Sequence, residues 1–154
     1  MNHLIIYTHP RKRSFNHAIL CAVTESAAVL TRLDRPGSVK AAITDIFREI
    51  AAVLKDEARR KECFIMHSAI DQVPHVPEIA AFLEQDASQL EEAFYQALMR
   101  AYEQGELSDR HGDLRALARY LNHSRYSLTQ AAKLTSDPKV LDDIVQVTLS
   151  ALDS

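Results

Sequence analysis

Between Val39 and Leu152 the apolar residues recur at the three- and four-residue intervals of an amphipathic helix, and no convincing strand interrupts them. Glycine occurs three times and proline five times in 154 residues, which favours long helices over a turn-rich β fold. With 47% of residues hydrophobic, a chain of this length has enough apolar surface for one core. The pattern therefore predicts an all-α bundle of about six helices, spanning residues 14–154.

The breaks set the expected boundaries. Helical spacing starts near Ser14, with Phe15, Ala18, Ile19, Ala22, Val23, Ala27 and Leu30, and stops at Asp34-Arg35-Pro36-Gly37. Ser38 then offers a cap. Ile43, Ile46, Phe47, Ile50, Val53 and Leu54 form the cleanest single stripe in the chain. A short apolar helix is expected from Cys63 to Ile70, and Pro77 suits the first turn of a long helix that Gly105 stops. Asp113 opens a helix bearing Leu114, Leu117, Leu121 and Leu128. Asp137-Pro138 opens the last one, which is apolar over a wide arc and so needs cover on more than one side, some of it from a second chain.

Residues 1–13 form an atypical N-terminal segment. His3 to Thr8 is a β-branched apolar run closed by His9-Pro10, which is strand chemistry without a visible partner strand.

Charge and cysteine content narrow the function classes. Three of the eighteen Lys and Arg residues, and none of the twenty-one acids, fall in residues 1–20, so the formal −3 of the chain becomes −6 for the remainder. An acidic body is a poor footprint for nucleic acid. The run Arg59-Arg60-Lys61 lies among Asp56, Glu57 and Glu62 and reads as a solvated helix end. Cys21 and Cys63 are too few for a disulfide framework or a zinc site and read as buried thiols. No apolar run reaches a membrane span, and the patch Leu4 to Tyr7 has its basic residues after it, unlike a signal peptide. A cytoplasmic protein with no membrane contact is expected.

Six pieces in order are similar to the C-terminal domain of the tetracycline-repressor (TetR) family of transcriptional regulators. They are Leu33-Asp34-Arg35-Pro36-Gly37-Ser38, Arg59-Arg60-Lys61-Glu62-Cys63-Phe64, Pro74-His75-Val76-Pro77-Glu78-Ile79-Ala80, Glu103-Gln104-Gly105-Glu106-Leu107, Leu114-Arg115-Ala116-Leu117-Ala118-Arg119-Tyr120-Leu121 and Asp137-Pro138. The resemblance covers residues 30–152. It implies an all-α sensor whose middle helices enclose a small-molecule effector and whose last two helices pair with the same helices of a second subunit. The family's helix-turn-helix should precede this part. Residues 1–30 show no two short helices about a glycine turn, so a chain without its own DNA-binding module is expected.

The first twenty residues have a separate likeness. Met1 to Pro10 with Ser14-Phe15-Asn16-His17-Ala18-Ile19 resembles the opening of flavodoxin-like NAD(P)H:quinone reductases. That likeness implies that His9, Ser14, Phe15 and Asn16 would cradle a flavin diphosphate at a helix N-terminus. A fragment of such a flavoprotein is thus an alternative reading, and a structural dimer without ligand is another.

Nothing in the sequence assembles catalysis. The seven histidines include no His-x-x-x-His pair, and no serine sits in a Gly-x-Ser-x-Gly elbow. No enzyme activity, cofactor or metal is expected. Aromatic or polar residues on apolar helix faces suit an effector cavity: Met66, His67 and Ile70; Phe94, Tyr95 and Leu98; Tyr120, His123 and Tyr126. The expected dimer interface joins Leu117, Leu121, Ser124 and Leu128 to Leu141, Ile144, Val145, Thr148 and Leu152. The expected partners are a homodimer mate, an unidentified small molecule and, through the same interface, an intact regulator in a heterodimer.

Overall fold

The computed structural model describes residues 15–60, 77–108 and 112–153, with side-chain burial from Val23 onward except at 77–79. The fold is all-α, and the described residues contain no strand. The described residues hold five long helices: α1 (Phe15–Leu33), α2 (Val39–Lys55), α3 (Pro77–Glu103), α4 (Leu114–Leu134) and α5 (Pro138–Ser150). A further helical turn covers residues 57–60. The strand expected at His3–Thr8 and the short helix expected at Cys63–Ile70 lie outside the described residues.

The helix ends follow local chemistry. Ser38 Oγ accepts from the Ala41 N–H at 3.1 Å, and Asp113 Oδ1 accepts from Arg115 and Ala116 N–H at 2.9 and 3.0 Å. Asp137 caps α5 by accepting from the Lys139 N–H at 2.9 Å, with Pro138 in the first turn where its missing N–H removes no helical bond. At the end of α3, Gly105 adopts φ +73°. The Gly105 N–H donates to the Tyr102 carbonyl and the Glu106 N–H to the Ala101 carbonyl, the paired bonds of a Schellman turn.

That turn aims Glu106 at another helix. Its carboxylate accepts from the Val39 N–H (3.1 Å), the Lys40 N–H (2.9 Å) and the Ser38 hydroxyl (3.0 Å), so the end of α3 clasps the start of α2. Burial works against ionisation there. The Lys40 N–H, the Ser38 hydroxyl, the Val39 N–H and the Lys40 charge outweigh it, and the Glu106 pKa falls below the ordinary glutamate value. On the other side, the Arg100 guanidinium donates to the Leu33 carbonyl and closes the C-terminus of α1.

The clean stripe of α2 lies at the centre. This helix packs against α1, α3, α4 and α5. Its Ile43 and Phe47 are fully buried, as are Leu90, Phe94, Ala97, Leu98 and Ala101 on α3 and Leu121 and Leu128 on α4. Alanines at 97, 101 and 118 let α3 and α4 approach closely, and Arg115 and Arg119 bind Glu92 and Glu91 across the outside of that pair. Such exposed pairs add little each. From α5, Leu141, Val145 and Thr148 turn inward, and Leu152 in the turn after it completes the core.

Candidate functional site

Polar side chains meet inside the bundle where α1, α3 and α4 converge. Arg125 of α4 has only 3% of its side chain exposed. Its Nη1 donates to Asn122 Oδ1 at 3.2 Å, and its Nη2 donates to Glu25 Oε1 of α1, also at 3.2 Å. Asn122 is itself buried and donates through Nδ2 to the Ala87 carbonyl of α3 at 3.1 Å, which fixes the orientation of its amide. Beside them the Ser26 hydroxyl donates to Asp86 Oδ2 at 2.8 Å. Arg125 Nε is buried and has no hydrogen-bond partner. An unsatisfied buried donor costs about 1–3 kcal/mol, so this atom stands out among the described residues.

Tyr126 borders the cluster. The Arg125 guanidinium lies 5.6 Å from its ring centroid, and the His123 ring lies 6.5 Å away. Burial raises the Tyr126 pKa, Arg125 opposes the rise, and the charges of Asp86 and Glu25 add to it. Around the Tyr126 ring, Arg125 thus contributes positive charge and Asp86 and Glu25 negative charge.

A second feature lies on the outside. Between α4 and α5 runs an open groove of about 640 Å³, lined by Arg119, Tyr120, His123, Ser124, Ser127, Asp143, Ile144, Val147 and Thr148. Tyr120 is 44% exposed and Val147 65% exposed, so together they put apolar surface on the groove. Ser124 and Ser127 turn their hydroxyls onto their own helix, to the Tyr120 and Ser124 carbonyls, and leave the groove floor smooth.

The expected effector residues separate in the structure. Phe94 and Leu98 are fully buried core, and Tyr95 lies under the Arg115 guanidinium, 3.7 Å from its ring centroid. Tyr126 edges the internal cluster, whereas Tyr120 and His123 line the outer groove. They therefore do not form one wall with Phe94 and Leu98. Met66, His67 and Ile70 lie outside the described residues.

The expected interface also divides. Leu121, Leu128, Leu141, Val145 and Leu152 are covered within a single protomer. Leu117 packs half-buried against the same core. Ser124, Ile144 and Thr148 do line the groove, but its exposed apolar surface comes from Tyr120 and Val147, which sequence periodicity did not single out for that role. The cause is helical phase: residues 141, 145 and 148 face inward, 144 is half-buried against the core, and 147 faces outward.

His9 and Ser14 of the flavin alternative lie outside the described residues, while Phe15 and Asn16 open α1. The all-α fold corrects that alternative, because the parallel sheet a flavin ring rests on has no strand among the described residues. Among the described residues no three His, Cys, Asp or Glu side chains are grouped to hold a metal, and no helix is long and apolar enough to cross a membrane.

Sequence reasoning missed Glu25, Ser26, Asp86, Asn122 and Arg125. One signal was present. Ala118, Leu121, Asn122, Arg125, Leu128, Thr129 and Ala132 fall on one helical stripe, and Arg125 interrupts its apolar character.

Comparison with known proteins gives one informative relative. The chain is 54% identical over 129 residues to a protein named "Uncharacterized HTH-type transcriptional regulator YezE" from Bacillus subtilis (strain 168). The match covers 84% of this chain and 66% of that protein, so the chain spans slightly less than two thirds of its relative's length. No family model and no solved structure matches. The chain is thus a homologue of a protein named as a transcriptional regulator.

Proposed function

We propose that this chain is the effector-sensing and dimerising part of a TetR-like transcriptional regulator. The observation that carries the reading is the 54% identity to a protein named as an HTH-type regulator, in a chain that folds as an all-α bundle. The resemblance of residues 30–152 to the sensor half of that family agrees in class with the relative's name. In this reading the cluster around Arg125 belongs to the sensing region, and the described helices sense and pair without reading DNA. Their acidic balance supports that division of labour.

Dimerisation uses the groove between α4 and α5. Tyr120, His123, Ile144 and Val147 supply its apolar and aromatic surface, and Ser124, Ser127 and Thr148 are small enough for helices of a second protomer to approach. A twofold axis through this face builds a four-helix contact in which the same patch meets itself. An intact regulator with the same face accepts the chain as a heterodimer partner.

Light scattering tests the pairing. The chain is expected to run at twice its monomer mass, and Val147→Asp at the monomer mass with unchanged helix content. A monomeric wild-type chain at micromolar concentration counts against the interface. The regulatory role is tested with a reporter gene driven by the promoter that an intact relative controls. Co-expressing the chain is expected to change reporter output, with Val147→Asp abolishing the change; an unresponsive reporter rejects the role.

A further inference from the structure

The groove between α4 and α5 carries a positive charge at one end and a negative charge at the other. Among the described residues that line it, Arg119 is the one Arg or Lys and Asp143 the one Asp or Glu. Three residues connect the two helices, so α4 and α5 run antiparallel. At about 1.5 Å of rise per residue, Arg119 lies about 22 Å from the connected end and Asp143 about 8 Å from it. Ser124 and Thr148, both small, lie about 15 Å from that end, midway between the two charges.

Both charged groups can take a further partner. Arg119 spends its Nε–H on Glu91 Oε1 at 3.1 Å, its Nη groups have no partner among the described residues, and its side chain is 61% exposed. Asp143 accepts from Lys139 Nζ at 2.7 and 2.8 Å, keeps 56% of its side chain exposed, and has carboxylate lone pairs left over. Glu91 and Lys139 do not line the groove, so Arg119 and Asp143 are the charges that anything seated in it meets.

We infer that Arg119 and Asp143 set the orientation of a second copy of this chain on the groove, Arg119 of each copy pairing with Asp143 of the other. The inference rests on the dimer reading above and adds how the two copies are turned. Two twofold arrangements lay the groove on itself. An axis along the helices brings equal levels together, so Arg119 meets Arg119 and Asp143 meets Asp143. An axis across the helices, at the level of Ser124 and Thr148, exchanges the ends and brings each Arg119 level with the other copy's Asp143. The first makes two like-charge contacts and the second two opposite-charge contacts, which selects the second.

Sedimentation equilibrium of the full chain with exchanged charges tests the pairing. Arg119→Glu and Asp143→Lys each turn both contacts repulsive and should raise the dimer Kd at least about tenfold. Both sites are exposed and both new residues are good helix formers, so helix content should not change. The double variant Arg119→Glu/Asp143→Lys should return the Kd to within about threefold of wild type. An equimolar mixture of the two single variants should form the heterodimer with a Kd near that of wild type. Salt gives a readout that needs no variant. Raising it from about 0.05 M to about 0.5 M should weaken the wild-type dimer, whereas facing like charges would be screened and the dimer strengthened.

A Kd indifferent to both exchanges, a double variant as weak as the single ones, or a wild-type dimer that tightens with salt overturns the pairing and leaves the groove as the dimer face. A wild-type chain that stays monomeric removes the dimer reading, and this inference with it.

Discussion

Replacing Glu106 by glutamine tests whether one carboxylate joins the end of α3 to the start of α2. In the wild-type chain it accepts from two backbone N–H groups of α2 and from the Ser38 hydroxyl. Glutamine keeps one acceptor oxygen and presents an NH2 to the remaining donors. It also removes a negative charge from the positive end of α2, worth about 0.3–1 kcal/mol. A lost hydrogen bond adds about 0.5–1.5 kcal/mol. Because Glu106 is only partly buried, water takes over much of the second contribution, and the expected loss is about 1 kcal/mol. For a chain of this size that lowers Tm by about 2–4 °C.

The pH dependence separates this cause from general damage. The folded-state pKa of Glu106 is depressed, so its contribution is complete above the unfolded value of about 4.3 and disappears as pH falls through the lower folded value. Urea unfolding followed by circular dichroism at neutral pH and at successively lower pH is the assay. The gap between wild type and Glu106→Gln should be full near neutrality and should close with acidification below about pH 4. Equal stability at neutral pH, or a gap that persists undiminished in acid, refutes the clasp.

Phe94 is fully buried on α3, so Phe94→Ala should destabilise by about 3–5 kcal/mol in the same unfolding assay. Asp137→Ala removes the side-chain cap of α5 and should lose about 1 kcal/mol, with Asp137→Asn restoring most of it. Leu121→Ala, at a site covered within one protomer, should lose about 2–5 kcal/mol even in a chain made monomeric by Val147→Asp; a Leu121→Ala loss that vanishes in the monomer would return this residue to the interface.

The helix plan was readable because its signals are local. Ser38, Asp113, Asp137-Pro138 and Gly105 each act within a turn of their own position, and each marks a helix end in the structure. The phase of the last helix was not readable. A wide apolar arc on residues 140–152 shows that several sides are covered but not which side meets its own chain. That is why Leu141, Val145 and Leu152 were expected on a partner and are found in the core. The cluster around Arg125 was hidden for another reason. Its contacts link residues 100 and 35 positions apart, between Glu25 and Arg125 and between Ala87 and Asn122. Only the packing of α1 and α3 against α4 brings them together.

The position of α2 governs how the domain comes apart. A helix touching all four of its neighbours leaves no way to peel the bundle into two self-sufficient halves. Protons on the backbone nitrogens of Ile46, Phe47 and Ala51 should therefore trade with solvent only when the whole domain opens, at a rate set by its global free energy. Any loosening short of that has to begin at the periphery, in elements free to shift while this central rod stays dry.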